Sequence, residues 1–362
     1  MDHALALAAR GLGRVWPNPA VGCVIEKDGR ILGRGRTADG GRPHAETVAL
    51  AQAGDAARGA TAHVTLEPCA HTGETPPCAS ALIRAGVARV VVALRDPDPR
   101  VDGGGIAALR AAGIEVVEGV REAEARAQQA GFLSRVTRGR PLLTLKLATT
   151  LDGRIATASG ESRWITGPQA RAHVHGQRAR HDAVLVGAGT ARVDDPRLTV
   201  RGLGDVPQPV RIVLSRRLAL PSFSALTDGS PGGPVWMLHG PQAPAATRRT
   251  LEVRGVQTIE TATDASGLIE LSAALAILGR QGLTRVYCEG GGTLAAALLS
   301  AGLVDRLDCY TAGAAIGAEG IPALGAMGLG ALADAPRLDH VETRRLGNDV
   351  LHRWQARASS SF

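Results

Sequence analysis

The chain has 362 residues, 44% of them hydrophobic, which is enough for two domains of ordinary size with real cores. Every apolar run falls short of the ~20 residues that cross a bilayer, Met1-Asp2-His3 opens no signal peptide, and five cysteines make an odd count, so a reducing, cytoplasmic setting without a disulfide framework is expected. A net charge of +7 would suit RNA, but the arginines are scattered and aromatics reach only 2%; a phosphorylated substrate and a phosphorylated cofactor are the milder explanation.

In chain order, residues 2–10 are rich in Ala and Leu and read as a helix. Pro17-Asn18-Pro19 is a rigid loop whose amide can face a ligand. Residues 20–25 and 30–35 read as strands joined by a Lys27-Asp28-Gly29 hairpin turn, with Cys23 a small buried hydrophobe on the first. A helix over 44–53, a strand over 62–66, a helix over 79–85 and a continuous apolar strand over 88–94 follow. Gly103-Gly104-Gly105 opens a helix, residues 114–117 form a strand and residues 121–130 another helix. This alternation argues for a layered α/β domain. The polar, basic run 134–141 marks a boundary between domains 1–138 and 139–358.

The second half begins with a strand over 142–148. Residues 160–167 form a loop, a helix runs from Pro168 to about Arg180, and the strand 183–187 leads into Ala188-Gly189-Thr190. Strands recur over 210–214, 235–238 and 256–259, with a helix over 268–280. The strand 285–288, the loop Glu289-Gly290-Gly291-Gly292 and a helix over 293–301 come next. A closing hairpin of 338–343 and 350–356 turns at Gly347-Asn348-Asp349. A mostly parallel sheet ending in a hairpin suggests a dihydrofolate-reductase-like α/β domain.

Chemistry concentrates between His44 and Cys78. His44, Cys69 and Cys78 are three zinc ligands, and a set of three leaves one tetrahedral position open, as catalytic zinc sites do. Glu46, two residues after His44, lies in the first turn of the same helix and can exchange protons there without being a ligand. His-x-Glu followed by Pro-Cys and a second Cys is the pattern of zinc deaminases. A closed structural zinc site would explain the cysteines but neither Glu46 nor Pro68. Cys78 opens a helix, where the dipole favours thiolate. The gap Cys69-Ala70-His71-Thr72-Gly73-Glu74-Thr75-Pro76-Pro77-Cys78 is longer than the usual C-x-x-C, so a generic deaminase fits less well.

In the second half, bare glycine at 290–292 before a helix lets amides approach a phosphate, though the spacing is not that of a Rossmann fingerprint. Arg178 and Arg201 offer planar forks suited to a ribose phosphate. Trp164 in a Gly/Ser/Thr loop suits a ligand cover. Only two lysines occur, Lys27 and Lys146; Lys146, on an apolar strand in an arginine-saturated chain, is read as a site lysine.

The Cys69–Cys78 stretch, with Pro17-Asn18-Pro19-Ala20-Val21-Gly22-Cys23, closely resembles the deaminase half of the bifunctional riboflavin-biosynthesis deaminase/reductase family. Lys146-Leu147-Ala148-Thr149-Thr150-Leu151-Asp152-Gly153-Arg154, Ser162-Arg163-Trp164-Ile165-Thr166, Gly187-Ala188-Gly189-Thr190 and Asp194-Asp195-Pro196-Arg197-Leu198 resemble its reductase half, in order. The resemblance implies an N-terminal cytidine-deaminase-like three-layer α/β/α domain. It implies zinc at His44, Cys69 and Cys78, with Glu46 as catalytic proton shuttle. NADPH contacts are implied at Ala148, Trp164, Thr190, Asp194, Gly291, Gly292, Thr293, Leu294 and Ala295. Substrate contacts are implied at Ser162, Arg178, Leu198, Arg201 and Glu289, and Asn18, His71 and Lys146 are further candidates. Two positions depart from the pattern: Thr37 stands where the family usually carries His, and Glu74 where it often carries a basic residue, so neither is assigned a role.

The expected function is therefore zinc-dependent deamination of a diaminopyrimidinone ribosyl phosphate, followed by NADPH-dependent reduction of the ribosyl group to ribityl. The expected partner is the small phosphorylated pyrimidine, without nucleic acid or membrane, in a homo-oligomer. The rivals are an RNA-base deaminase with an RNA-binding second half, a non-catalytic zinc-stabilised binding protein, and the same scaffold with one inactive domain or an altered deaminase substrate.

Overall fold

A computed structural model of the chain describes residues 1–70, 76–221, 224–229 and 231–357. Two compact units result: Met1–Arg140 together with Gly282–Thr284, and the remainder of the chain from Pro141 on.

The first unit runs α1 (Asp2–Ala9), β1 (Gly22–Lys27), β2 (Arg30–Arg36), α2 (Ala45–Ala53), β3 (Thr61–Val64), α3 (Cys78–Ala85), β4 (Arg89–Val92), α4 (Gly104–Ala111), β5 (Glu115–Glu118) and α5 (Glu122–Arg138). Its sheet has the order β2-β1-β3-β4-β5; β1 pairs antiparallel with both neighbours, and β3, β4 and β5 are parallel. Helix α2 lies directly on β2 because two glycines let it. A Cβ on Gly33 would stand 2.1 Å from the Ala49 carbonyl oxygen, and one on Gly35 would stand 2.2 Å from that of Ala45. Cys23 pairs with Gly35 in register and is fully buried, as a small apolar side chain should be beneath that helix.

The polar run over 134–141 does not break the helix where composition suggests. Helix α5 continues to Arg138 because Ser134 is buried and its hydroxyl donates to the Arg140 carbonyl at 2.8 Å. Arg135 and Arg138 suit the negative end of the helix dipole, and Gly139 ends it in the left-handed region at φ 66°.

The second unit runs β6 (Leu142–Thr150), β7 (Arg154–Ala156), α6 (Pro168–Arg178), β8 (Ala183–Gly187), α7 (Ala188–Asp194), β9 (Val210–Leu214), β10 (Val235–His239), α8 (Ala245–Val253), β11 (Val256–Glu260), α9 (Leu271–Arg280), β12 (Arg285–Cys288), α10 (Gly292–Ser300), β13 (Arg306–Ala312), β14 (Ile321–Pro322), β15 (Leu338–Leu346) and β16 (Asp349–Ala356). Nine strands form one sheet in the order β11-β10-β9-β8-β12-β6-β13-β16-β15. From β11 to β13 the neighbours are parallel; the hairpin of β15 and β16 is antiparallel and closes the edge. Every residue of β9, β10 and β12 is buried, as expected of parallel strands covered on both faces.

This matches the expected architecture of a mostly parallel sheet ending in a hairpin. The sequence pattern marks neither α8 nor β13, and it leaves Ala188-Gly189-Thr190 without a type, where the chain turns from β8 straight into α7. Strand β13 is hard to see because it carries Asp308, buried at 1% exposure. That charge is held by a fork from Arg353, Nε at 2.8 Å and Nη2 at 3.1 Å, which no local pattern announces.

Candidate functional site

In the first unit His44 is the N-cap of α2, with Glu46 in its first turn, while Cys69 follows β3 and Cys78 is the first residue of α3. The His44 Nδ1 atom lies 3.8 Å from Cys69 Sγ and 3.3 Å from Cys78 Sγ, and the three candidate ligand atoms all fall within 4.8 Å of one another. Zn–S bonds of ~2.3 Å and Zn–N bonds of ~2.0 Å around a tetrahedral ion need ligand spacings of roughly 3.3–3.8 Å, so the donor set fits zinc in number, type and spacing. It is the only such group of three among the described residues.

The electrostatics are those of protons shared in a tight space. The Cys78 hydrogen bond, helped by His44, holds the Cys69 thiol down at about 4 against burial. Cys78 is pushed up by its hydrogen bond to Cys69 and by burial. Glu46, buried at 3% exposure, is raised to about 7, first by burial and then by Cys69. A carboxyl poised near neutrality can both take and return a proton.

Asn18 donates its amide to the Gly41 carbonyl at 3.2 Å. Thr37, where the sequence departs from the family pattern, is buried, and its hydroxyl donates to the Pro19 carbonyl and accepts from the Val21 amide, both at 3.0 Å. In this chain that position therefore clamps the Pro17–Pro19 loop. His71 and Glu74 lie outside the described residues.

The second unit gathers a charged cluster at the carboxyl end of β12 and the middle of β6. Arg178, on the last turn of α6, donates Nε to Glu289 Oε1 at 2.5 Å and Nη2 to Oε2 at 3.0 Å, and Nη1 to the Thr199 carbonyl at 2.8 Å. The two side chains are only 11% and 10% exposed. Burial would raise the Glu289 carboxyl, but the Arg178 guanidinium holds it below its usual range. Lys146 is lowered by burial, against the pull of Glu289 and Asp194. Asp194 ends α7 and is raised by partial desolvation, against Arg163 and Lys146.

The structure thus brings Arg178, Glu289 and Asp194 within electrostatic reach of Lys146. The guanidinium edge of Arg178, read from the sequence as a phosphate fork, meets Glu289 and Thr199 instead. Arg201 is exposed, and its backbone amide donates to His175 Nδ1 at 3.2 Å. His175 carries no motif of its own in the sequence; its pKa is lowered by burial and by Arg178 and Arg201. Its place three residues before Arg178 on one helix was the signal available.

Helices α7 and α10 begin at the ends of the strands β8 and β12, which are neighbours in the sheet. The Gly291 amide donates to Thr190 Oγ1 at 3.1 Å, tying the two helix starts together. Gly291 is the N-cap of α10 and supplies no side-chain cap, and a Cβ on Gly292 would stand 3.0 Å from the Pro322 carbonyl oxygen. Such an edge of bare backbone at a helix start suits the phosphates of a dinucleotide. Thr293 is exposed, Leu294 half-buried and Ala295 buried. Trp164 is 68% exposed, with the Arg171 guanidinium 4.6 Å from its ring centroid. Ser162 and Ala148 are half-buried, the latter paired with Tyr310 across β6 and β13. The Leu198 side chain is buried in the core, so its backbone is what a ligand would meet.

Residues 1–94 match the cytidine and deoxycytidylate deaminase zinc-binding region, and residues 141–352 match the RibD C-terminal domain. The chain is 42% identical to the riboflavin biosynthesis protein RibD of Escherichia coli, over 97% of this chain and 96% of that protein. A solved structure of Acinetobacter baumannii RibD superposes with a TM-score of 0.88 at 40% identity, covering 98% of this chain and 97% of that one. The Thermotoga maritima diaminohydroxyphosphoribosylaminopyrimidine deaminase/5-amino-6-(5-phosphoribosylamino)uracil reductase superposes with a TM-score of 0.86 at 35% identity, covering 98% and 97%.

Proposed function

The chain belongs to the RibD family of bifunctional riboflavin-biosynthesis enzymes, and from that premise we propose which of its residues carry each reaction. It is a zinc-dependent pyrimidine deaminase joined to an NADPH-dependent reductase. The first reaction hydrolyses the amino group from a diaminopyrimidinone ribosyl phosphate, and the second reduces the ribosyl group of the resulting uracil to ribityl.

The observation that carries the deaminase assignment is the convergence of His44, Cys69 and Cys78 beside the buried carboxyl of Glu46. The three side chains hold zinc, which when bound supplies a Lewis acid that brings the pKa of water toward ~7. Glu46 takes the proton of the attacking water and delivers it to the departing amine, so one carboxyl serves both transfers. Asn18, on a loop clamped by Thr37, presents its amide to the pyrimidine. His71 is a further proposed contact.

In the second unit the cofactor is proposed to lie across Gly291, Gly292, Thr293, Leu294 and Ala295, with Thr190, Asp194, Ala148 and Trp164 beside it. NADPH supplies the hydride when bound. Opening of the ribosyl ring leaves an oxygen that needs a proton, and Lys146, made more acidic by burial, is the proposed donor. Arg178 fixes the Glu289 carboxylate toward the substrate. Arg201 offers its guanidinium to the phosphate, with Ser162 and the Leu198 backbone completing the pocket. No helix among the described residues is long and apolar enough to cross a membrane.

A two-stage assay tests this reading. Zinc-loaded protein given the diaminopyrimidinone phosphate should release ammonia without NADPH, and then oxidise NADPH once it is added. Oxidation of NADPH only when deaminated substrate is supplied would show that the deaminase half has lost or changed its substrate. Absence of both signals would refute the assignment.

A further inference from the structure

Glu67 is buried at 4% exposure, two residues before Cys69, and has no part in the chemistry above. Its carboxylate accepts four backbone N–H groups. Oε2 takes those of Asp96 at 3.3 Å and Gly103 at 3.1 Å; Oε1 takes those of Gly105 at 3.0 Å and Ile106 at 3.2 Å. Gly103 is the N-cap of α4, and Gly105 and Ile106 lie in its first turn, where unpaired amides and the helix dipole both favour an anion.

The backbone beside this carboxylate is fixed as firmly. The Glu67 amide donates to the Leu94 carbonyl at 2.9 Å, and the Cys69 carbonyl accepts from Ala79, in the first turn of α3, at 3.2 Å. Gly105 approaches so closely that a Cβ there would stand 1.9 Å from the Pro68 carbonyl oxygen. Pro68 locks φ between the two ends. Glu67-Pro68-Cys69 is thus a stiff bridge: its carboxylate end is tied to the start of α4 and its thiol end to the start of α3.

We propose that Glu67 is a positioning residue for the deaminase, its carboxylate fixing where the Cys69 sulfur stands and so setting the strength and shape of the zinc site. The proposal rests on the reading of Cys69 as a zinc ligand. The charge matters as well as the shape, because all four partners are donors. A Gln at this position would turn an NH2 group against two amides whichever way its amide is oriented, and the bridge would have to back away from α4 with Cys69 at its other end.

The test uses the full chain, with zinc affinity measured by competition with a chromophoric chelator, the thiolate charge-transfer band recorded on the Co2+-loaded protein, and kcat and KM measured for ammonia release. Amide-exchange protection of β3 and β4 shows that the first unit is folded. Glu67→Gln is expected to bind zinc ~10–100-fold more weakly, as the outer partners of metal ligands typically do when changed. Its cobalt band should be altered and its kcat lowered with KM little changed. A wild-type zinc affinity, band and kcat, with only a lower melting temperature, would make Glu67 a plain structural tie and overturn the proposal. Should Glu67→Gln not fold, Glu67→Asp decides by the same readouts: it keeps the charge but is a methylene too short for four amides. Weakened zinc binding there supports the proposal, and wild-type binding overturns it. Cys69→Ser separates the underlying reading. Zinc held there at wild-type affinity refutes the ligand assignment itself, whereas zinc lost there but retained in the Glu67 variants refutes only the role of Glu67.

Discussion

Glu46→Ala is expected to lower ammonia release by about a thousandfold while zinc stays bound and NADPH-dependent reduction of deaminated substrate continues at the wild-type rate. The size follows from the usual contribution of a positioned general acid–base, ~10²–10⁴-fold, and this carboxyl is asked to act twice in one turnover. Retention of zinc follows from the geometry, because the ligand atoms come from His44, Cys69 and Cys78. Burial and the Cys69 sulfur raise the Glu46 carboxyl to about 7, so the group removed is one tuned for proton transfer. Removing it leaves a small apolar residue in the first turn of α2, which the buried surroundings accept more readily than a charge. Zinc content by metal analysis and ammonia release on the same sample give the answer. Loss of zinc along with activity would make Glu46 part of the metal site, and full activity would remove it from the mechanism.

Arg178→Met is expected to produce the opposite dissociation: ammonia release unchanged, NADPH oxidation with deaminated substrate down by about a hundredfold or more. Breaking one side of a buried ion pair costs ~3–5 kcal/mol because the other charge is left without its partner, and ~1.4 kcal/mol is tenfold in rate where that cost falls on the transition state. Met keeps most of the stem's volume, so the change is chiefly electrostatic. The Glu289 carboxylate would lose both of its short bonds, 2.5 and 3.0 Å, and the Thr199 carbonyl its donor. The carboxyl, now held below its usual range by Arg178, would rise as burial takes over. A kcat/KM within a few-fold of wild type would mean that Glu289 needs no partner to act.

The two sites were unequally visible in the sequence. His44, Glu46, Cys69 and Cys78 stand out because their chemistry requires particular residue types at short spacings, one pair in a helix turn and the other at a strand end and a helix start. The reductase residues were legible mainly through resemblance. Arg178 and Glu289 are 111 residues apart, and nothing in either neighbourhood tells a phosphate fork from the buried partner of a carboxylate. Thr37 is the same lesson in reverse. A polar residue in place of an expected His suggests a lost ligand contact, while the structure finds a hydroxyl bridging Pro19 and Val21. Glu67 could be read only as the end of a strand, because its four partners are backbone amides contributed by a distant loop and helix start.

At the level of fold, the long periodic or strongly apolar segments were clear, and the misses have local causes. Helix α7 has only seven residues, one of them Gly189, and follows straight on from a strand. Strand β13 carries a buried Asp308 whose partner, Arg353, belongs to the last strand. Helix α5 outran its expected end because Ser134, polar by composition, spends its hydroxyl on the backbone of Arg140.

The most direct test of a chain with two separable chemistries, one held by metal and one not, is to strip the metal and follow both. After removal of zinc by a strong chelator, ammonia release from the diaminopyrimidinone phosphate should fall to background and return as zinc is added back. NADPH oxidation with deaminated substrate should hold its rate throughout. Full ammonia release from protein shown to contain no metal, or a parallel fall and recovery of both activities, would contradict the account.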